Sequence, residues 1–279
     1  MTEPAPAIEI VPFEDAHLDG ALRLSREAQW PHRKEDWAFV MALSDGVAAL
    51  RDGVVVGTGF CTPFGAHTAA SNLIIVDAAM RGQGLGRRLM DCLLAMAGER
   101  ENRLVATDDG LDLYRKLGFR AVGPVRQHQA TIAKVAGPDG VSWWPDPERA
   151  HLAKLDRAAF GADRTGVIDA LCDVGEVAIV DGPSDPPGFA VVRPFGKGRV
   201  VGPVIARSPA EAKALIAFCL AAHPDTFMRV DVPEDTQLGP WLEDLGLPQV
   251  GGGLAMVRGA RPMLVTEEKV FALVNQALG

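Results

Sequence analysis

Residues 72–96 contain the feature that most constrains the fold, because an apolar run, a glycine-rich turn and an amphipathic stretch follow one another there. The run Leu73-Ile74-Ile75-Val76 is short and rich in β-branched residues, which is typical of a buried strand. After the turn, the apolar residues share one face of a helix: Leu85, Leu89, Met90, Leu93 and Met96. The pattern therefore predicts a strand, a glycine turn and a helix in succession.

The turn itself reads Arg81-Gly82-Gln83-Gly84-Leu85-Gly86. Glycines allow positive φ angles and let a ligand come close to the backbone amides. The first amides of a helix have no partner inside the helix and carry partial positive charge. Together with the cationic side chains of Arg81, Arg87 and Arg88, such a turn is suited to hold a phosphate group.

Two common phosphate loops fit this turn poorly. A Walker loop requires Lys-Ser/Thr after its last glycine, and Arg87-Arg88 stands there instead. A dinucleotide fingerprint requires Gly-x-Gly-x-x-Gly and usually follows the first strand, whereas these glycines are at 82, 84 and 86, well into the chain. A nucleotide-dependent oxidoreductase is therefore the least favoured of three hypotheses.

Two motifs in order resemble the GNAT N-acetyltransferases. The run Arg81–Gly86 matches the family's Gln/Arg-x-x-Gly-x-Gly/Ala motif after a strand that ends in Val76, and Tyr114–Phe119 is similar to its Tyr-x-x-x-Gly-Phe segment. The resemblance implies acetyl-CoA as cosubstrate, with the strand backbone on the pantetheine arm and the turn amides on the pyrophosphate. The cofactor-binding residues it implies are Leu73, Ile74, Val76, Arg81, Gly82, Gln83, Gly84, Leu85, Gly86 and Arg87.

The candidate catalytic residues are a phenol and a carboxylate. Tyr114 is the only tyrosine, and a phenol is a plausible proton donor to a departing thiolate, the role that the family's matching tyrosine often has. The alternative is a packed tyrosine whose hydroxyl bonds to the backbone. A base must also take a proton from the amine. Its candidates are Asp36, which we rank first only for its place in the expected pocket, Glu35 and His67, and the alternative for each is a solvated or capping residue.

A tryptophan-rich segment precedes the second predicted helix. The spacing Trp30-x(5)-Asp36-Trp37 resembles a tandem subfamily of GNAT proteins, in which this region closes over the acceptor amine. Trp30 is therefore a candidate substrate-binding residue, with a purely structural role equally open, whereas Trp37 is expected in the core.

Composition limits the classes of binding partner and the location that we expect for the protein. The net charge of −8 argues against nucleic acid or an anionic membrane as the main partner. No apolar run is long enough to span a bilayer, and the first residues lack the basic and apolar regions of a signal peptide, so we expect a cytoplasmic protein. The four cysteines are far apart in apolar surroundings, which predicts free thiols and no metal site.

The second half of the chain repeats the pattern of the first at an offset of 128 residues, which relates Gly118 to Gly246. The offset moves the predicted strand at residues 73–76 onto another apolar run, Val201–Val204. It moves Arg81, Gly84, Gly86 and Tyr114 onto residues without their chemistry: Pro209, Ala212, Ala214 and Leu242. The second copy is therefore predicted to be degenerate, because it lacks the glycines of the turn and the tyrosine.

The predicted fold is α/β (α+β), with two tandem GNAT-like domains, each a mixed, mostly antiparallel twisted sheet flanked by helices. We place an acetyltransferase domain at 1–137 and a degenerate domain at 138–279, the latter ending in a helix over 266–278. Phe119–Val122 and Gln127–Val135 are predicted as two closing strands of the first domain.

The function predicted is transfer of an acetyl group from acetyl-CoA to a primary amine of a small molecule or peptide, by direct attack. The alternative is a non-catalytic acyl-CoA-binding sensor or regulatory protein. The identity of the amine and the oligomeric state have no signature in the sequence.

Overall fold

The computed structural model describes residues 7–181, 187–260 and 266–279. The chain divides into two compact units, Met1–Asn102 and Arg103–Gly279. Each unit combines a mostly antiparallel sheet with helices, so the predicted fold class is confirmed.

The first unit is built on four antiparallel strands that follow one another in the sheet as they do in the chain. They are β1 (Glu9–Pro12), β2 (Asp45–Arg51), β3 (Val54–Phe64) and β4 (Thr68–Val76). Its helices are α1 (Leu18–Glu27), α2 (Lys34–Met41) and α3 (Leu85–Ala97). A further strand, β5 (Glu101–Ala106), begins at its end.

Helices cover both faces of β3. Gly59 lets α3 pack closely on one face, since a Cβ atom added there would lie 3.0 Å from Leu93 Cδ1. The neighbouring Phe60 points to the other face. There its ring centroid is 5.9 Å from that of Trp37 on α2, and both side chains are fully buried. The expectation that Trp37 belongs to the core is confirmed.

The second unit contains the remaining elements. Its helices are α4 (Leu111–Lys116), α5 (Arg149–Phe160), α6 (Thr165–Val174), α7 (Pro209–Ala221) and α8 (Gly239–Asp244). Its strands are β6 (Arg120–Thr131), β7 (Val141–Trp143), β8 (Glu176–Val180), β9 (Phe189–Phe195), β10 (Gly198–Ala206), β11 (Phe227–Pro233), β12 (Gln249–Arg258) and β13 (Lys269–Ala272).

The strand order in this unit differs from the chain order. It runs β5, β12, β6, β11, β10, β9, β8, β7, with β13 paired to β10. Strand β6 is antiparallel to β11 on one edge and to β12 on the other. It therefore has both of its hydrogen-bonded neighbours in the second half of the sequence. The domain boundary after residue 137 stays a prediction.

Two predictions about elements are wrong. The two closing strands of the first domain are one continuous strand, β6, because its pairing with β12 runs from Arg120 to His128 and holds the chain extended through Pro124. The helix predicted over 266–278 is absent from that described stretch, which contains strand β13. Its residues Val270 and Ala272 pair antiparallel with Ile205 and Val204 of β10. This pairing overrides the helical spacing of the apolar residues.

The internal repeat is confirmed at atomic detail after α4 and α8. Phe119 N donates to Tyr114 O at 3.0 Å, and Leu247 N donates to Leu242 O at 2.9 Å. The glycine between them has a φ of +85° in the first copy and +89° in the second. The same helix ending is thus made twice, 128 residues apart.

Candidate active site

The glycine turn lies between β4 and α3 in the first unit. A short 3-10 turn, Ala78–Met80, leads into it and is capped by Asp77, whose Oδ1 accepts from Ala79 N at 3.0 Å. Gly82 and Gly84 then adopt φ angles of +74° and +77°. Both are exposed, and a side chain at either would be strained by the backbone.

The amides of this turn are available to a ligand. The first bonded amide of α3 is that of Arg88, which donates to Gly84 O at 3.1 Å. In the part of the chain that the structure describes, no protein acceptor makes a well-formed hydrogen bond with the amides of residues 82–87. The first turn of α3 carries no acidic side chain. Its partial positive charge is therefore not neutralised by the protein itself.

The side chains around the turn hold it open and positive. Gln83 Nε2 donates back to Ala79 O at 3.1 Å, which braces the turn. Arg88 Nη2 donates to Ile8 O at 3.0 Å, and Arg87 forms an exposed ion pair with Asp91 at 2.9 Å. Arg81 is exposed at the start of the turn. Backbone amides and cationic side chains, the groups that suit a phosphate ligand, thus lie together at the start of α3.

Strand β4 contains a bulge that the sequence did not reveal. Its register against β3 shifts between Thr58 and Phe60, and Leu73, which is buried, has a φ of +46°. The hydroxyl of Thr58 donates to Leu73 O at 2.8 Å and stabilises this backbone. A β-branched or bulky residue with positive φ is an outlier, and such strain often marks a functional site. The bulge lies beside Ile74 and ahead of Val76, which are both half-buried.

Tyr114 lies in the second unit, on α4. Its side chain is 7% exposed, and its ring meets that of Phe119 edge-on at 6.0 Å. Gly110 leaves the space that the ring fills, since a Cβ there would lie 2.5 Å from Tyr114 Cε2. The described residues offer its hydroxyl no hydrogen bond. Burial raises the pKa of Tyr114 to about 12, so the phenol keeps its proton at neutral pH.

Asp36 and Trp30 lie near the junction of α1 and α2. Asp36 is buried, and both of its carboxylate oxygens accept from Arg33, with Nη2–Oδ1 and backbone N–Oδ2 distances of 2.8 Å. This geometry caps α2, and the general-base role of Asp36 stays a prediction. Trp30 is half-buried, with its ring 5.8 Å from that of His32. Glu35 and His67 are exposed.

Neither a metal-binding cluster nor a membrane-spanning helix is found among the described residues. Across 7–181, 187–260 and 266–279, no three His, Cys, Asp or Glu side chains converge as a metal site would require. None of the described helices has both the length and the apolar character to cross a membrane.

The family follows from the sequence matches. Two family models described as "Acetyltransferase (GNAT) domain" match the chain, one over residues 42–121 and the other over residues 152–272. The protein belongs to the GNAT acetyltransferases, carries two such domains in tandem and is an acyltransferase. GNAT enzymes in general use acetyl-CoA and act on amines of small molecules or peptides.

One curated relative is similar over nearly the whole length. It is the uncharacterized N-acetyltransferase YitH of Bacillus subtilis (strain 168), 29% identical over 290 residues that cover 97% of this chain and 98% of the relative.

Solved structures share the architecture. A chain from Pyrococcus horikoshii classed as an acetyltransferase has a TM-score of 0.82 at 20% identity, covering 98% of this chain and 96% of its own. A tandem GNAT protein from the clavulanic acid biosynthesis pathway has a TM-score of 0.63 at 18% identity, covering 92% of this chain and 100% of its own. At these identities the likeness concerns the fold alone.

Proposed function

We propose that this acyltransferase moves the acetyl group of acetyl-CoA to a primary amine of a small molecule or peptide by direct attack. The observation that carries the proposal is the start of α3, where six successive amides, at residues 82–87, have no protein acceptor among the described residues. Free amides at a helix start bind phosphate, and acetyl-CoA carries a pyrophosphate.

Each group at the turn has a role in the proposal. The amides of residues 82–87 bind the pyrophosphate, and the exposed guanidinium of Arg81 adds positive charge. Val76, Ile74 and the bulged Leu73 present their backbone to the pantetheine arm and the acetyl carbonyl. The carboxylate of Asp36 stays bound to Arg33 and fixes the start of α2.

Tyr114 acts as general acid in this proposal. A nitrogen–carbon bond forms as the amine attacks the thioester, and the carbon–sulfur bond breaks as the tetrahedral intermediate collapses. The sulfur takes the phenolic proton of Tyr114, the nitrogen loses one proton through water to the carboxylate of Asp36, which passes it to solvent, and solvent restores the phenol. Two observations support this role: the unpaired hydroxyl within the described residues, and a pKa raised to about 12, which keeps the proton available.

The test separates binding from transfer. Calorimetry with acetyl-CoA should give one site per chain. Release of CoA thiol should then depend on an added amine, in a panel of 2-phenylethylamine, spermidine, glucosamine and a lysine peptide. Binding without release with any amine would support the acyl-CoA sensor instead. Absence of acetyl-CoA binding would refute both hypotheses.

A further inference from the structure

Strand β4 carries one buried amide side chain that none of the steps above uses. Asn72 is 5% exposed and immediately precedes the bulged Leu73. Its Oδ1 atom is buried and has no hydrogen-bond partner among the described residues. Buried polar atoms in native proteins almost always have partners, so an exception calls for an explanation, which is often functional.

A short hydrogen-bond chain fixes the direction of this oxygen. Asn72 Nδ2 donates to Thr62 Oγ1 at 2.8 Å, and Thr62 Oγ1 is 2.6 Å from Ser44 Oγ. With the amide nitrogen engaged on this side, the oxygen is turned to the other. The three side chains thus form one hydrogen-bond chain that ends at the amide of Asn72.

The surroundings of the amide are apolar and aromatic. Asn72 lies directly opposite Phe60 in the β3–β4 pair, so both side chains are on the same face of the sheet. The ring of Phe60 is 4.7 Å from that of Phe13 and 5.9 Å from that of Trp37. A group that meets the amide oxygen on this face therefore fits best if an apolar body carries its donor.

We propose that Asn72 Oδ1 binds the acceptor substrate, by accepting an N–H from a primary amine carried on an apolar or aromatic body. This inference rests on the proposed function. An acceptor atom suits a nucleophilic amine, because it holds an N–H and leaves the nitrogen lone pair free to attack. An uncharged oxygen also favours the neutral amine over the ammonium more than a carboxylate would.

The experiment compares variants of the full-length protein with acetyl-CoA and 2-phenylethylamine as substrates. Asn72→Leu, which keeps a side chain branched at Cγ but has no polar atom, should raise the KM for the amine at least tenfold and leave the Kd for acetyl-CoA within twofold. Asn72→Asp keeps an acceptor oxygen and should recover part of the loss. Ser71→Ala is the matched control, because Ser71 is adjacent, equally buried and on the opposite face of β4, and its hydroxyl also lacks a partner among the described residues.

Thermal stability distinguishes binding from packing. Asn72→Leu removes the unpartnered oxygen together with the Nδ2–Thr62 bond, and Thr62 Oγ1 keeps Ser44 as its partner, so the Tm should fall by no more than about 2–4 °C. A larger fall together with equal losses in acetyl-CoA and amine binding would assign Asn72 to packing and overturn the proposal. So would a KM for 2-phenylethylamine within twofold of the wild type.

Failure of the proposed function itself has a different signature, since it appears in the wild type. If the wild-type protein binds acetyl-CoA but none of the amines in the panel causes thiol release, the proposed acetyl transfer itself is refuted. That result is obtained with the wild type alone and does not depend on the Asn72 variants. A wild type that acetylates spermidine but not 2-phenylethylamine overturns the apolar substrate class assigned here.

Discussion

The starts of α3 and α7 occupy equivalent places in the two copies and differ in what meets their first amides. Gly84 precedes α3 and no side chain caps its amides, whereas Ser208 precedes α7 and its Oγ accepts from Glu211 N at 3.2 Å. The carboxylate of Glu211 accepts in turn from Arg207 N at 2.8 Å, and Pro209 opens the helix without an N–H. The second copy thus satisfies its helix start with its own side chains.

The bulged strands of the two copies, β4 and β10, also differ in whether the chain itself covers the bulge. The register of β10 against β9 shifts between Val201 and Val204, and Val201 matches Leu73 at the repeat offset. Strand β13 lies along β10 after this shift, and Leu273 N donates to Asp231 O of β11 at 2.8 Å. Gly202 packs directly against the Leu273 carbonyl, with no space for a Cβ. The chain therefore covers this strand with its own backbone.

The comparison teaches how one fold can keep or lose a phosphate site. Both copies retain the strand and the helix, whose apolar residues are buried, and the left-handed glycine that ends the short helix. In the second copy, the side chains of Ser208 and Glu211 supply internal partners at the equivalent helix start and stabilise the fold. Chemistry is expected in the first copy alone.

The largest expected effect tests whether the copies are separable. A fragment of residues 1–137 should fail to fold cooperatively, because β6 would lose both strands to which it is hydrogen-bonded, β11 and β12. Circular dichroism during urea unfolding measures this. Co-expression with residues 138–279 should restore a folded complex. A fragment 1–137 that unfolds cooperatively and binds acetyl-CoA alone would contradict the expectation.

The second prediction addresses the start of α3. Gly84→Val should weaken acetyl-CoA binding at least about 100-fold, roughly 2.8 kcal/mol, because a β-branched residue resists the φ of +77° that presents the amides. Calorimetry measures the Kd. Gly98→Val is the control, since Gly98 ends the same helix with a φ of +60°. Equal losses in both variants would point to general strain and away from the phosphate site.

The third prediction concerns the phenol that the second copy lacks. Tyr114→Phe should lower kcat by about tenfold to 100-fold, at an unchanged Kd for acetyl-CoA, because the departing thiolate loses its proton donor. Since the pKa of Tyr114 is about 12, the wild-type rate should show no loss from phenol ionisation below about pH 10. If Tyr114→Phe has an unchanged kcat with an amine that the wild type acetylates well, the hypothesis that Tyr114 is the general acid is refuted.

The same pKa has a consequence for stability. The folded protein holds the Tyr114 proton up to about pH 12, while the unfolded chain loses it near pH 10. Its contribution to the free energy of unfolding is therefore fully present below about pH 10 and is lost as pH rises toward 12. Tyr114→Phe should show a smaller alkaline loss in urea titrations.

The smallest effect tests the capped helix of the second copy. Ser208→Ala should lower the free energy of unfolding by about 1 kcal/mol through loss of the cap and leave the Kd for acetyl-CoA unchanged. Urea unfolding and calorimetry measure the two quantities. A change in stoichiometry to two acetyl-CoA per chain would show that capping alone had closed a second site.

Local sequence signals predicted several elements well, whereas the roles of the site residues stay predictions. The strand, turn and helix over residues 73–97 lie where their residue types placed them. The sequence analysis did not single out Asn72, the residue proposed above to bind the amine, although a polar residue beside an apolar run is a signal that could have done so. The ion pair of Asp36 with Arg33 is a capping contact that helical spacing allowed but did not single out.

By itself, the sequence determined the repeat and the turn, because glycines, caps and apolar periodicity act on neighbouring residues. Only the tertiary structure decided that β6 lies between β11 and β12, that β13 is a strand, and that β4 bulges at Leu73. Those outcomes depend on hydrogen bonds between residues distant in the chain. Such pairing competes with local preference and prevails where it satisfies more backbone groups.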